Sequence, residues 1–591
     1  MKEYTSIYGQ YGFIDFTPEP DFDIHDDTKI IDLTLKFDEQ KQYYVHRIDF
    51  SGNTTTRDKV IRRELLLDEG QLFDKRRWEI SILRLNQLDY FDRIEEDKAV
   101  EIKRNTKEGT VDLNLKVHEK GKQSIGLQGG VSGLAGGFIG LTYQTNNFLG
   151  LGETLTFSAQ FGSYQRTFQF GFTEPYLFDR PISTGFTVFS SRYSFDQARQ
   201  EALLLGQSVS INPQFVQNYN QNSTGFTSFA SYPVKRYSFL RLGLTYGLTR
   251  TSITAFNDAS RLLFQSIQYR SVAGPSALNG IISSTVTGTA SYNSVDNPQE
   301  PSKGKALFYS LSFTGGPIGG NVNTITNVLE VKKFKPLTKR RNVLALRGQV
   351  AYISSFGGKE IPPFNRFYLG GENDLRGYDI RSVSPVTFIP QLVRIPISSS
   401  TGTFTVPVLV YSATLPGADL QGFGTIEYRI PIAGPVQTGL FFDGGTDGVL
   451  SRSGLKLDPA ALNSQNCPAQ NPESLVCAFP TAKISSQLPL QSGTNFRLRG
   501  SAGIEFVVRL PIVQAPFRIY YAYNVHRLHQ TIVAPSPFID PAEIAFLKAN
   551  TDPIDFKYIV TPRINYIQNN PGSLNYFEPK TTFRFTVSRS F

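Results

Sequence analysis

Cysteine, tryptophan and methionine are almost missing from this 591-residue chain, at two, one and one residues, and histidine stops at five. So little cysteine suits a compartment in which stray thiols are a liability. Cys467 and Cys477 share one polar segment, CPAQNPESLVC, where a local disulfide is expected. The spacing by itself also admits two unpaired loop thiols. None of His25, His46, His118, His526 and His529 stands beside a nucleophile signature. His526 and His529 form an HxxH in a stretch read as an outer loop, a weak metal signal without flanking ligands. No enzymatic activity, cofactor or metal site is expected.

Long apolar runs are missing too. No stretch reaches the roughly 18 uninterrupted apolar residues of a membrane-crossing helix. Charged residues are 19% of the chain, below the roughly 25% of ordinary soluble domains. The net charge of +9 favours an anionic surface. Its lysines and arginines are scattered, with no block or stripe, so nucleic acid has no footprint to bind. Nor does KEYTSIYGQYGF after Met1 carry the apolar core and cleavage site of a signal peptide.

What the chain does have is aromatic residues, 13% of the total with 46 Phe and 28 Tyr, at a mean hydropathy of -0.22. Transmembrane strands combine these properties, because only every second residue faces lipid. Up to about residue 120 the periodicity is mixed and charged. YYVHRIDFSGN, residues 43–53, alternates as a strand; Val60, Ile61, Glu64 and Leu65 follow at helical spacing, and so do Trp78, Ile80, Ile82, Leu85 and Leu88. AVEIKRN and GTVDLNLKVHEK alternate as two further strands, giving the order β-α-α-β-β. Residues 1–39 repeat only the tail of that order, so the chain is read as N-terminally truncated.

After Lys122 the texture becomes long uncharged alternation, as in GETLTFSAQFGS, where Leu155 and Phe157 share a face. Strands of about 9–11 residues, tilted and closed into a barrel, satisfy every backbone group that lipid cannot. Seven short connectors punctuate this region, among them FLGLG after Asn147, YPVKRY, KPLTKRR, PIAGPV and LPIVQAP, and six of them contain proline, which cannot donate to a ladder. Alternating with eight longer loops, they join sixteen strands. The longest loops are 354–420, 447–495 and 526–580.

The first of these carries YLGGENDLRGYDI, with Gly370, Gly371, Leu375, Arg376, Gly377 and Tyr378. Its Ser/Thr-rich part, ISSSTGTFTV, suits disorder, whereas the aromatics, glycines and lone guanidinium suit a packed tip. A buried guanidinium cannot shed its proton and needs carboxylates in fork geometry. Parity names candidates: in TIEYRI the apolar Ile426, Tyr428 and Ile430 leave Glu427 and Arg429 facing the lumen, and in GLFFDGG Leu440 and Phe442 leave Phe441 and Asp443 inward. Glu427 and Asp443 are therefore expected to meet Arg376, although acids inside a barrel can also merely hydrate a pore.

Several segments, taken in order, resemble the outer-membrane β-barrel assembly family, the BamA-type proteins. The β-α-α-β-β unit is similar to a POTRA domain, and DLRGY resembles the family's lumen-inserted (V/L)RG(F/Y) loop. FTEPYLFDRP, DNPQEPSKG, IEYRIPIAGPVQTGLFFDGG and SAGIEFVVRLPIVQAPFRIYYAY match in turn. The resemblance implies a partial POTRA domain at 1–39, a complete one at 40–121 and a sixteen-stranded outer-membrane barrel at 122–591. It implies a periplasmic POTRA region in a Gram-negative cell. The implied partners are unfolded outer-membrane clients, outer-membrane lipids or lipopolysaccharide, accessory lipoproteins and periplasmic chaperones.

The first barrel strand, with Gly126, Gly129, Gly130 and Gly133, offers few side chains to pack and is expected to pair weakly with the last. The last strand points Phe583, Phe585 and Val587 one way and Arg584, Thr586 and Ser588 the other, and ends in Phe591. A seam that opens there would expose backbone groups on which a client strand can add itself. POTRA edges, such as that near Val111 to Val117, would offer the same augmentation. A passive porin has no use for POTRA units or a plugging loop, and a TamA-like translocation or autotransporter-assembly role stays within the same family.

Overall fold

A computed structural model describes residues 2–25, 27–88, 90–120, 123–132, 136–196, 218–234, 239–256, 260, 277–297, 301–337, 342–451, 455, 487–508 and 517–587. The chain divides into two compact units. One comprises Met1–Ile125 with Tyr143–Thr156 and Phe172–Pro175, and the other comprises the remainder.

The first unit opens with a helix, Lys2–Gly9, and a hairpin, Thr17–His25 against Ile30–Asp38. A three-stranded sheet follows. Its central strand, Thr110–Lys116, runs parallel to Tyr44–Ser51 on one side and antiparallel to Val100–Asn105 on the other. The helices Asp58–Arg62 and Lys75–Leu88 bury Val60, Ile61, Trp78 and Leu85 in one core with Ile48 and Val111. Burial of this kind, not helix propensity, sustains a five-residue helix. The edge expected at Val111 to Val117 is corrected here. Strong alternation marks a strand buried on one face and says nothing of how many neighbours it has, and this strand is flanked on both sides.

The same unit includes the turn Asn147–Gly152 from FLGLG. Arg57 N donates to Gly150 O at 3.1 Å, Asn147 Nδ2 to Thr56 Oγ1 at 2.7 Å and Tyr90 Oη to Gly152 O at 2.9 Å. Gly150 has φ +72°, and a Cβ there would stand 2.3 Å from Thr55 O, so no other residue fits. Thr54, Thr55 and Thr56 are gathered by Glu119, whose carboxylate accepts from Thr56 N at 2.6 Å and Thr54 Oγ1 at 2.9 Å.

Sixteen strands, from Gln123–Ser132 to Thr581–Val587, form a single sheet in which every strand bonds to its neighbour in chain order. The eleventh strand is Val343–Ser355, the twelfth Leu420–Ala433, the thirteenth Val436–Gly448, the fourteenth Arg499–Val508, the fifteenth Phe517–His526 and the sixteenth Thr581–Val587. Apolar side chains at every second position, such as Leu242, Leu244, Tyr246 and Leu248, stay exposed on the outer face, as lipid contact requires. No helix among the described residues is long and apolar enough to cross a membrane. Connectors 235–238, 338–341 and 509–516 lie outside the described residues.

Two of the long loops fold. Thr387–Ser399 pairs with Gly402–Thr414 as a hairpin, so the disorder expected for ISSSTGTFTV is also corrected. Its tip is the turn from Ser399 to Gly402. Ile397, Val406 and Val408 pack against Leu547 and Ile564 of the helices Pro541–Asn550 and Thr561–Asn569, which belong to the last long loop.

Burial raises the proton affinity of Glu119, but hydrogen bonds from Thr56, Thr54 and Thr55 outweigh it and hold the carboxyl down at about 2, against an ordinary 4.5. A depressed folded-state value contributes stability that is complete above the unfolded value and is lost as pH falls toward the folded one. Urea stability of the first unit should therefore decline between about pH 4.5 and 2, and Glu119→Gln should flatten that segment of the pH profile.

Candidate functional site

The loop tip 368–383 is built to deliver one side chain. Gly370 and Gly371 open the turn at φ +109° and +125°. Asp374 Oδ1 accepts from Gly370 N at 3.0 Å and Leu375 N at 2.6 Å, closing it. Leu375 and Tyr378 bury fully against Leu369, Val383 and Phe423. This apolar lining excludes water from Arg376, itself 2% exposed.

Arg376 forks onto Asp443. Its Nε reaches Oδ2 at 2.8 Å, Nη2 reaches Oδ1 at 2.9 Å, and the backbone N of Arg376 adds a third bond at 3.1 Å. Its Nη1 donates to Glu505 Oε2 at 3.2 Å and lies 3.6 Å from Glu427 Oε2, an ion pair without a hydrogen bond. The guanidinium stacks 3.7 Å from the centroid of Phe441. Glu427 is bonded instead by Arg429 Nε at 3.1 Å, and Glu505 by Arg518 Nε at 2.6 Å. Three acids thus face three guanidiniums in one buried cluster across the twelfth to fifteenth strands, so no net charge is stranded in it.

Gly377 and Tyr378 extend the attachment. Gly377 O accepts from Asn524 Nδ2 at 2.7 Å and Thr582 Oγ1 at 2.8 Å. A Cβ on Gly377 would fall 1.8 Å from Asn524 Oδ1 and 3.0 Å from Ser501 Cβ, so close approach dictates glycine here. Tyr378 Oη bonds to His526 O at 2.6 Å. Glu505 and Phe441 were the partners left unassigned by sequence. Both obey the same two-residue alternation, since Ile504 and Phe506 point outward in GIEFVV.

Of the other expected positions, Gly126, Gly129 and Gly130 lie on the first barrel strand. On the sixteenth, Phe583 is exposed, Phe585 half-buried, and Thr582, Arg584 and Thr586 buried; Val587 ends the strand. Gly133, Cys467, Cys477, Ser588 and Phe591 lie outside the described residues. Among the described residues no group of three or more histidine, cysteine or carboxylate side chains is placed to hold a metal.

A family model described as the Omp85 superfamily domain matches residues 147–531. The chain belongs to the Omp85 superfamily. A second model, the POTRA surface antigen variable number repeat, matches residues 43–120. As an Omp85 protein it resembles the outer membrane protein assembly factor BamA of Nitratidesulfovibrio vulgaris, 27% identical over 392 residues, which are 65% of this chain and 44% of the relative. BamA of Neisseria meningitidis is 26% identical over 365 residues, 61% of this chain and 43% of that one. The chain thus spans less than half the length of these relatives. In structure it matches BamA from Haemophilus ducreyi lacking POTRA domains 1–3, with a TM-score of 0.51 and 20% identity over 89% of each chain, a likeness of fold. This Omp85 barrel belongs in the bacterial outer membrane, with its POTRA region in the periplasm.

Arg376→Ala leaves Asp443 and Glu505 buried without their shared cation, and should cost about 3–5 kcal/mol of barrel stability. Arg376→Lys should recover only part of it, because an ammonium cannot fork. Thermal unfolding of detergent-solubilised barrel, followed by loss of compact migration on gels, reads both.

Proposed function

We propose that this protein folds and inserts β-barrel clients into the outer membrane by letting client strands add at a weak seam between its first and sixteenth strands. The observation that carries the reading is the sheet's two ends. Among the described residues no strand pairing joins the first strand to the sixteenth, whose ladder runs to the fifteenth, from Phe517↔Val587 to Tyr523↔Thr581. An edge strand presents unpaired N–H and C=O groups, and in lipid each of these costs several kcal/mol until a partner arrives. A client strand is such a partner.

The glycines of the first strand support this reading. Each costs roughly 0.5–1 kcal/mol relative to alanine within a strand, so a pairing that closed the seam would be weaker than the ladders elsewhere. Backbone augmentation reads no side chains, which suits a factor serving many clients. The relatives named as outer membrane protein assembly factors point the same way. A loop anchored in the lumen, by contrast, would obstruct a passive pore.

Cysteine pairs placed across the seam, around Gly129 and Thr586, should block client insertion into liposomes when oxidised and restore it on reduction. Full insertion with the crosslink intact would remove the seam from the mechanism. Deleting residues 372–378 should raise ion conductance, since the barrel would lose the segment that occupies its lumen.

A further inference from the structure

The residues around Arg376 attach to the wall in a sequence. Arg376 meets the twelfth, thirteenth and fourteenth strands through Glu427, Asp443 and Glu505. Gly377 O meets the fifteenth through Asn524 and the sixteenth through Thr582. Tyr378 Oη returns to the fourteenth and fifteenth through Gly500 O and His526 O. Asp379, the next residue along, forms an ion pair with Arg584 of the sixteenth strand. The short run RGYD therefore bridges five consecutive strands and ends on the edge strand.

The spacing is matched on the two sides. Thr582 and Arg584 are two residues apart, so both point into the lumen, and their partners, Gly377 and Asp379, are also two apart. The loop backbone thus runs beside the inner face of the sixteenth strand as a brace. That strand is bonded through its backbone on one side only among the described residues, to the fifteenth over the pairs Phe517↔Val587 to Tyr523↔Thr581. Its outer face gives little help, with Phe583 60% exposed. Arg584, with a side chain 2% exposed, is in contrast removed from solvent and charge-paired. A charge-assisted bond in so dry a place is worth more than a neutral one.

We infer that Asp379, with Gly377 O, latches the sixteenth strand through Arg584 and Thr582, and that release of this latch lets the edge strand leave the wall. These four are positioning residues. The inference rests on the seam reading above for its purpose, although the latch itself can exist whether or not clients are inserted. It separates two duties within one loop: Arg376 holds the loop to the twelfth to fourteenth strands, and Asp379 holds the sixteenth strand to the loop.

Hydrogen–deuterium exchange on the liposome-reconstituted protein tests it, with wild type compared against Asp379→Asn and Thr582→Val. Local opening raises amide exchange in proportion to the opening constant. Asp379→Asn should speed exchange across 581–587 by about tenfold or more, the loss expected for a buried charge-assisted bond, and leave 436–448 at the wild-type rate. Thr582→Val removes a neutral tether and buries no new charge. It should give a smaller, equally localised rise, and it supplies the answer if Asp379→Asn does not fold. Unchanged exchange at 581–587 in the folded variants, or an equal rise at 436–448, overturns the latch. Client insertion is measured on the same samples. If wild type inserts no client while the localised rise is present, the latch stands and the assembly reading falls.

Discussion

One guanidinium organises the inside of this barrel. Arg376 is carried at the end of a long loop, enters a space lined by carboxylates, and can neither lose its proton nor reach water. Asp443 answers it with a bidentate fork, Glu505 with a further bond, and Phe441 with its ring face. Several features of the loop tip serve that placement. The two glycines make the turn, Asp374 closes it, Leu375 and Tyr378 seal it, and Gly377 is bare because Asn524 lies against it.

A barrel wall needs an internal brace of this sort when its own closure is weak. Hydrogen-bonded ladders resist shear along most of the sheet, and among the described residues no such ladder joins the first strand to the last. On the proposed reading, a loop bonded to five strands from inside keeps the wall in shape while its edge exchanges partners. The charge balance matters here. Three guanidiniums and three carboxylates buried together cost far less than any one of them alone, so the brace is stable as a set and fragile to the loss of a member.

Much of this is legible in the sequence, for a physical reason. Alternation has a period of two, a strictly local rule, so TIEYRI and GLFFDGG alone are enough to place Glu427 and Asp443 inside the barrel. The same rule applied to GIEFVV places Glu505, but choosing it as a partner requires the distance from a loop 129 residues away in the chain. Strand order is not a local property. Val111 to Val117 therefore reads well as a strand and wrongly as an edge, because its second neighbour, Tyr44–Ser51, lies far upstream. ISSSTGTFTV misleads through composition: its hydroxyl residues belong to a hairpin tip, and the alternation on either side, Ile397 opposite Phe404, carries the real signal. The latch on Arg584 is half visible, as an inward charge on the last strand whose partner the sequence does not name.

The most direct measurement is a double-mutant cycle on the fork, with Arg376→Gln, Asp443→Asn and the pair compared by equilibrium unfolding of the folded barrel in lipid. A brace held by this contact predicts a coupling of about 2–3 kcal/mol, within the range for residues of one buried network. Additive effects, with coupling near zero, would mean that the guanidinium and Asp443 do not hold each other, and the account of the lumen would be contradicted.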